Sequence, residues 1–329
     1  MILTRAPLRI PLGGGGTDLP SYYSQYGGFV LSAAINKYVY ISLNRPQVDD
    51  LIRVKYSKSE TVEDLNEVQH ELVREAMRLT GVDRGVEIVS LADLPAGTGM
   101  GSSGSFLVAL LRALHALKRE YVSPAQLAEE ACHIEIDLVG SPVGKHDQYI
   151  SAFGGLTCME IAPDGTVSVS HLPLSNHHLD ELRNSLLLFY TGIQRRSLDI
   201  LEEQQRDTTQ AKEDVVGSLH RTKELGLEIK EVLGAGNFDR FGELLDVHWQ
   251  NKKRRSSRIS EPRIDRWYEI AREHGAIGGK LMGAGGGGFF LFCAPNNCKG
   301  KLRRAMAQEG LREMPFDFDL EGAKVLVDF

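Results

Sequence analysis

Two periods of apolar residues alternate along this chain and lay out its elements. Residues 30–43 are crowded with β-branched and aromatic side chains and read as a strand, and 86–89 reads as another. Between them the period lengthens. Leu65, Val68, Leu72, Ala76 and Leu79 mark one face of a helix expected over 61–79, with Thr61 and Asp64 as a capping box and Gly81 as its stop. An apolar helical run follows at 106–117. Ser123, Pro124 and Gln126 open a further helix over 124–139, whose apolar face is Leu127, Ala131, Ile134 and Leu138. Residues 156–161 and 166–169, joined by Ala162-Pro163-Asp164-Gly165, form a hairpin. A polar stretch around 172–178 is the expected domain boundary, dividing the chain into 1–174 and 175–329. Beyond it come a strand at 185–190, charged helix over 197–233, a buried strand at 289–292 and a short helix at 299–308. The pattern is α/β with more than one layer, without internal repeats or low-complexity tracts.

A length of 329 residues suits two domains better than one. The net charge of −6 disfavours a nucleic-acid partner. Arg5, Pro7 and Arg9 stand where a signal peptide would be apolar, so none is expected. The run at 106–117 is broken by Arg112 and His115 and is too short to span a bilayer, so no membrane partner is expected. Cys132, Cys158, Cys293 and Cys298 form no C-x-x-C pair and read as reduced thiols of a cytoplasmic protein. A homodimer is compatible with all of this.

Three glycine-rich segments carry the chemistry: Gly13-Gly14-Gly15-Gly16, then Gly97 to Ser105, then Gly283 to Gly288. The middle one runs straight into the helix at 106–117. Free backbone amides and the positive end of a helix dipole make such a segment a phosphate cradle. A Walker loop is absent, since Gly279-Lys280 is followed by Leu281. Gly99, Gly101 and Gly104 do match the dinucleotide fingerprint, which keeps an NAD-dependent oxidoreductase open as an alternative. Its context is poor: Asp93-Leu94-Pro95-Ala96 separates the glycines from the strand, and a helix stands where a second strand is required.

All three segments, in order and spacing, resemble the motifs of the GHMP kinases, and the resemblance spans nearly the whole chain. The first is matched by residues 6–18, the second by 95–105 and the third by 280–288. The resemblance implies an α+β, two-domain GHMP kinase fold: a ribosomal-S5-like N-terminal domain and a ferredoxin-like C-terminal domain, with ATP and substrate between them. It also implies ATP and Mg²⁺ as cofactors. Pro95, Gly97, Gly99, Met100, Gly101, Ser102, Ser103, Gly104 and Ser105 would form the ATP-phosphate loop. Asp147 resembles the family's catalytic aspartate, placed to take the acceptor hydroxyl's proton or to hold it in line. Arg9 would sit beside it. Glu135 lies on the border of its helix's apolar face, where an unpaired carboxylate is costly. It would face Mg²⁺ together with Ser103, or else a basic side chain. Lys37 suits a solvated strand end as well as a site, and His146 is expected in the site wall.

The four-glycine run followed by Thr17-Asp18 lacks the Glu-His pair of galactokinases. With Gly144-Lys145-His146-Asp147-Gln148-Tyr149 it resembles the branch that phosphorylates the anomeric hydroxyl of D-glycero-D-manno-heptose 7-phosphate with ATP. That reaction gives a 1,7-bisphosphate for nucleotide-heptose synthesis in surface polysaccharides. Fucokinase-like domains share much of the pattern and remain an alternative, as does a sugar-binding regulator that has lost catalysis. Gly15, Gly16, Thr17, Asp18 and Asp147, with Gly286 and Gly287, would contact the sugar. A phosphate already on the substrate needs cations away from the ATP loop. Arg195, Arg196, Lys252 and Lys253 are the candidates, Arg196 and Lys253 foremost, while the run from Lys252 to Arg255 reads equally as a solvated face.

Overall fold

Two prolines interrupt the first strand, and the sheet accommodates each with a shift of register. The structure is a computed structural model that describes residues 1–194, 197–256 and 258–329, with the backbone alone of 197 and 198. Its first sheet holds β1 (Ile2–Gly13), β2 (Gly28–Asn44), β3 (Ile52–Lys55), β4 (Ser59–Val62), β5 (Val86–Ala92), β6 (Leu156–Ile161) and β7 (Val167–His171). The second sheet holds β8 (Leu186–Tyr190), β9 (Gly278–Leu281), β10 (Phe289–Cys293) and β11 (Arg312–Glu313), in the order β11-β8-β10-β9. The final strand, β12 (Lys324–Asp328), returns to the first sheet and pairs with β1. β2 is long enough to carry two neighbours on one edge, β6 over residues 28–33 and β5 over 39–44.

Pro7 and Pro11 cannot donate to the ladder, and the register of β1 with β2 shifts after each. The carbonyl of Pro7 accepts instead from the hydroxyls of Ser105 and Ser151, at 2.8 and 2.9 Å. From Pro7 onward, Leu8, Ile10 and Leu12 are fully buried, while Arg9 and Pro11 line a cavity on the other face. The strand thereby presents a single cation to the cavity from a backbone fixed on both edges.

The helices are α1 (Pro20–Tyr26), α2 (Glu71–Thr80), α3 (Ser102–Leu117), α4 (Pro124–Cys132), α5 (His146–Phe153), α6 (Asn176–Ser185), α7 (Ser197–Thr209), α8 (Glu213–Gly234), α9 (Phe238–Lys253), α10 (Pro262–Glu273) and α11 (Lys299–Gln308). α3 is buried almost all round and crosses the first sheet, where the Thr4 hydroxyl donates to the Ala109 carbonyl at 2.7 Å. A second core gathers Trp249, Trp267, Tyr268, Phe290 and Phe292 against the second sheet. The expected boundary near 174 falls between β7 and α6. The halves on either side still share the first core, because Leu225, Ile229 and Leu233 of α8 join it and β12 crosses back.

Most expected elements are present, with two corrections. The helix expected from 61 begins ten residues later. Thr61, in β4, pairs with Arg53 of β3, and Asp64 caps a short 3₁₀ turn; cross-strand pairing outweighed the apolar spacing. The helix expected over 124–139 widens into a π-helical turn at His133–Leu138, with the Val139 amide donating to the Ile134 carbonyl at 2.9 Å. One extra residue in the turn rotates the residues after it about the helix axis. Leu138 is therefore exposed and Val139 packs on the core in its place. The dinucleotide-binding alternative also fails, since the strand after α3, β6, runs antiparallel to β2.

Candidate active site

Four side chains of alternating charge form a chain along one wall of the cavity. Arg9 grips Asp147 with two parallel hydrogen bonds, Nε to Oδ1 at 2.6 Å and Nη2 to Oδ2 at 2.9 Å. Its third nitrogen donates to the Gly99 carbonyl at 2.6 Å. Asp147 stands in the first turn of α5, where the helix dipole favours a carboxylate. His146 Nε2 lies 2.7 Å from Asp147 Oδ1, a charge contact without hydrogen-bond alignment, and its Nδ1 bonds Asp18 Oδ2 at 2.6 Å. The Gly16 and His146 amides also donate to Asp18.

Burial opposes every charge in this chain, and the partners decide. Desolvation would lower the His146 pKa, but Asp147 and Asp18 outweigh it and push it up to about 9. Desolvation would raise Asp147, but Arg9 and His146 hold it far below the usual carboxylate range. Asp18 is likewise held low, against its burial, by His146. At neutral pH the chain therefore reads minus, plus, minus, plus from Asp18 to Arg9.

The phosphate-loop glycines lie directly against this chain. A Cβ on Gly104 would stand 2.9 Å from the Asp147 Cβ, and one on Gly101, at φ +78°, would meet Asp147 Cγ and Arg9. Gly101 precedes α3 without a side chain to cap it, so no side chain occupies the helix's first-turn amides. Pro95, Ser102 and Ser103 line an adjoining cavity with Tyr56, His70, Leu72, Leu91 and Phe106, where His70 stacks on Phe106 at 5.0 Å. Sequence reasoning missed Tyr56 and His70, which carry no motif and are joined to the loop only by the fold.

Glu135 is carried into the interior by the π-helical turn. It is 3% exposed, its Oε2 accepts from Gln148 Nε2 at 2.7 Å, and it is hydrogen-bonded to the Ser103 hydroxyl. Burial pushes its pKa up to about 7, against the effect of those two bonds and with help from Asp147. Gln148 Oε1 is buried without a partner. A costly carboxylate, a hydroxyl and a spare amide oxygen are hard donors that fit a small divalent cation.

The opposite wall is cationic. Lys252, Arg255 and Lys280 are buried and line the same cavity as Asp18 and Asp147. Lys252 donates to the Leu281 and Gly283 carbonyls, and Lys280 to the Leu12 carbonyl. Arg255 donates to the Ser218 and Thr222 hydroxyls and to the Gly15 carbonyl. The cavity brings together Arg9, Gly15, Gly16, Asp18 and Asp147. Other expected residues lie elsewhere. The Thr17 hydroxyl is buried against the Gly14 and Phe29 carbonyls. Ser105 turns inward to Pro7 and Ser151, and the Met100 side chain is in the core. Gly286 and Gly287 pack on Ile259 and Ile193, leaving Gly283 and Ala284 at the cavity. Lys253 pairs with Asp265 at 3.0 Å on the outer face of α9. Lys37 stands in a separate hollow with Arg312. Arg195 and Arg196 lie outside the described residues.

The chain is also similar to known proteins. Residues 66–155 match the GHMP kinases N terminal domain and 229–311 match GHMP kinases C terminal. The chain is 29% identical to D-glycero-alpha-D-manno-heptose 7-phosphate kinase of Campylobacter jejuni subsp. jejuni serotype O:2, covering 98% of both chains. It is 26% identical to L-fucokinase/L-fucose-1-P guanylyltransferase of Bacteroides fragilis, over 88% of this chain and 34% of that one. Among solved structures it resembles a D-glycero-D-manno-heptose 1-phosphate kinase from Bacteroides thetaiotaomicron, with 26% identity, a TM-score of 0.83 and full coverage of both chains.

Proposed function

The chain belongs to the GHMP kinase family and is an ATP-dependent sugar kinase, and from that premise we propose that it phosphorylates the anomeric C1 hydroxyl of D-glycero-D-manno-heptose 7-phosphate. The product would be the 1,7-bisphosphate, serving nucleotide-heptose synthesis for surface polysaccharide in the cytoplasm. Among the described residues, no helix is long and apolar enough to cross a membrane. The observation that carries the reading is the chain from Asp18 to Arg9, set in a cavity against the phosphate loop.

Asp18 and His146 orient the sugar's hydroxyls in this reading. Asp147 accepts the hydrogen bond of the hydroxyl that attacks. Because Arg9 and His146 hold its proton affinity so low, it aligns that hydroxyl and leaves the proton to depart late with the transferred phosphoryl group. Arg9 keeps Asp147 ionised and faces the incoming negative charge. The apolar hollow of Tyr56, Leu72, Leu91 and Phe106 suits a flat nucleotide base beside the loop. Ser103 and Glu135 would hold Mg²⁺, which when bound neutralises the phosphate oxygens.

A coupled ADP-release assay over a panel of sugars tests the proposal. Heptose 7-phosphate should give the highest kcat/KM, and preference for free fucose over every sugar phosphate would overturn the substrate while leaving the kinase in place.

The metal pair has its own test. Ser103→Ala and Glu135→Gln should each raise the Mg²⁺ requirement, with sugar affinity measured without nucleotide unmoved. Glu135 has a raised pKa, so its fold favours the proton and Mg²⁺ must displace it. Apparent Mg²⁺ affinity should therefore fall as pH drops below about 7 in the wild type, and the Gln variant should lose that dependence. A pH-independent wild type, or weakened sugar binding with an unchanged Mg²⁺ titration, would remove Glu135 from the role.

A further inference from the structure

The cation wall holds more positive charge than the catalytic chain uses. Arg9 is taken up by Asp147, and Asp18 by His146. Among the described residues, Lys252, Arg255 and Lys280 have no carboxylate within ion-pairing distance and meet only carbonyls and hydroxyls. Three buried basic groups facing one cavity oppose one another's charge, and a bound anion would favour the charged form of each. Burial, reinforced by the neighbouring cations, lowers the Lys280 pKa to about 7 and puts Lys252 well below the lysine range.

Two buried polar groups in the same wall are also incomplete. Gln204 Nε2 and both ring nitrogens of His248 line the cavity without hydrogen-bond partners. Gln204 is 7% exposed and His248 2%. Donors and cations converging without an acceptor describe the outline of a bound anion. Of the five N–H donors of Arg255, three are used within the protein, which leaves two for a ligand.

Position within the wall separates two anions. Lys252 is anchored beside Gly283, and a Cβ on Gly283 would stand 2.7 Å from the Cα of Gly99, so this end abuts the ATP-phosphate loop. Arg255 reaches the other end. It bonds the Gly15 carbonyl, and a Cβ on Gly16 would stand 2.7 Å from its Nη1 and 3.1 Å from Gln204 Nε2. That is the Asp18 end, where the sugar would lie. We propose that Arg255 and Lys280, assisted by Gln204 and His248, bind the phosphate monoester that the sugar substrate already carries. This rests on the functional reading above and assigns its substrate phosphate to residues of α9, the turn after it, β9 and α7.

Steady-state kinetics test it with D-glycero-D-manno-heptose 7-phosphate against the same heptose lacking phosphate. Arg255→Gln and Lys280→Met should each raise KM for the sugar phosphate about tenfold or more, and Arg255→Lys by less. KM for the unphosphorylated heptose and for ATP should stay within about twofold. Equal losses for both sugars, or a matching loss for ATP, overturn the assignment. Calorimetry on the wild type serves if a variant fails to fold. At pH 8 a dianion bound here restores protons to the depressed lysines, so titration in two buffers of different ionisation enthalpy should show proton uptake with heptose 7-phosphate and none with the free heptose. Identical proton balance for both sugars overturns it as well. A wild type that turns over heptose 7-phosphate without selective loss in the variants sinks this inference alone. A wild type that rejects all sugar phosphates sinks the functional reading with it.

Discussion

Asp147→Asn is expected to lower kcat by about 10²–10³ while ATP affinity stays within a few-fold, the span usual for loss of a charged group that holds the reacting atoms in place. The amide keeps the shape of the carboxylate and its place on α5, so the loss reports charge. Arg9 would lose an ionic partner gripped at 2.6 and 2.9 Å, and the hydroxyl would lose an ionised acceptor. The pH profile of the wild type carries the complementary signal. A depressed carboxylate contributes above its unfolded pKa of 3.8 and is lost only as pH falls through its much lower folded value, so Asp147 should give no limb between pH 5 and 8. His146 is raised, so its contribution is complete below pH 6.5 and is lost as pH climbs through about 9. Activity should fall on the alkaline side near that value. A rising limb near pH 5 to 6 that disappears in Asp147→Asn would show an ordinary titrating base instead.

Arg9→Met should be the most damaging change to stability and activity together. Removing one member of a buried pair leaves the other uncompensated, which typically costs 3–5 kcal/mol. The Asp147 side chain is 22% exposed and keeps His146 beside it, which places this loss near about 2–3 kcal/mol. The activity loss should be on the order of 10²–10³, as for removal of one donor to developing charge. The double variant Arg9→Met/Asp147→Asn decides whether the pair is coupled. Its melting temperature should lie above that of Arg9→Met alone, because the stranded carboxylate is gone. Simple addition of the two single losses would mean that each residue acts through other contacts.

The cationic wall shows where spacing alone was ambiguous. Lys252 and Lys253 were both candidates and Lys253 was put ahead, whereas Lys252 and Arg255 line the cavity and Lys253 pairs with Asp265. The signal was present: Phe241, Leu245, His248, Lys252 and Arg255 follow one another at spacings of three and four, and the first three are buried core or cavity residues. Extending that stripe through α9 and its final turn selects Lys252 and Arg255 and puts Lys253 outside. Lys280 was quoted within the third glycine motif but given no role. Charge alone made the run from Lys252 to Arg255 look solvated, and only its phase on the helix separates the two faces.

Helices and strands with strong periods, the order of the three glycine segments, and Asp147, Arg9 and Asp18 as the polar residues beside them were all legible in the chain itself. Each depends on local spacing or on residue types that a turn or phosphate cradle requires. The sequence could not disclose that Thr61 pairs with Arg53, that a π-helical turn replaces Leu138 with Val139, or that β12 returns to β1 across the whole length of the chain. Nor could it show His146 poised between two aspartates, or Thr17 and Ser105 turned inward. Most of those outcomes depend on partners brought in from elsewhere in the chain or on cross-strand neighbours. A polar side chain in a buried setting takes the direction that satisfies its hydrogen bonds, and only the assembled fold determines which partner is within reach.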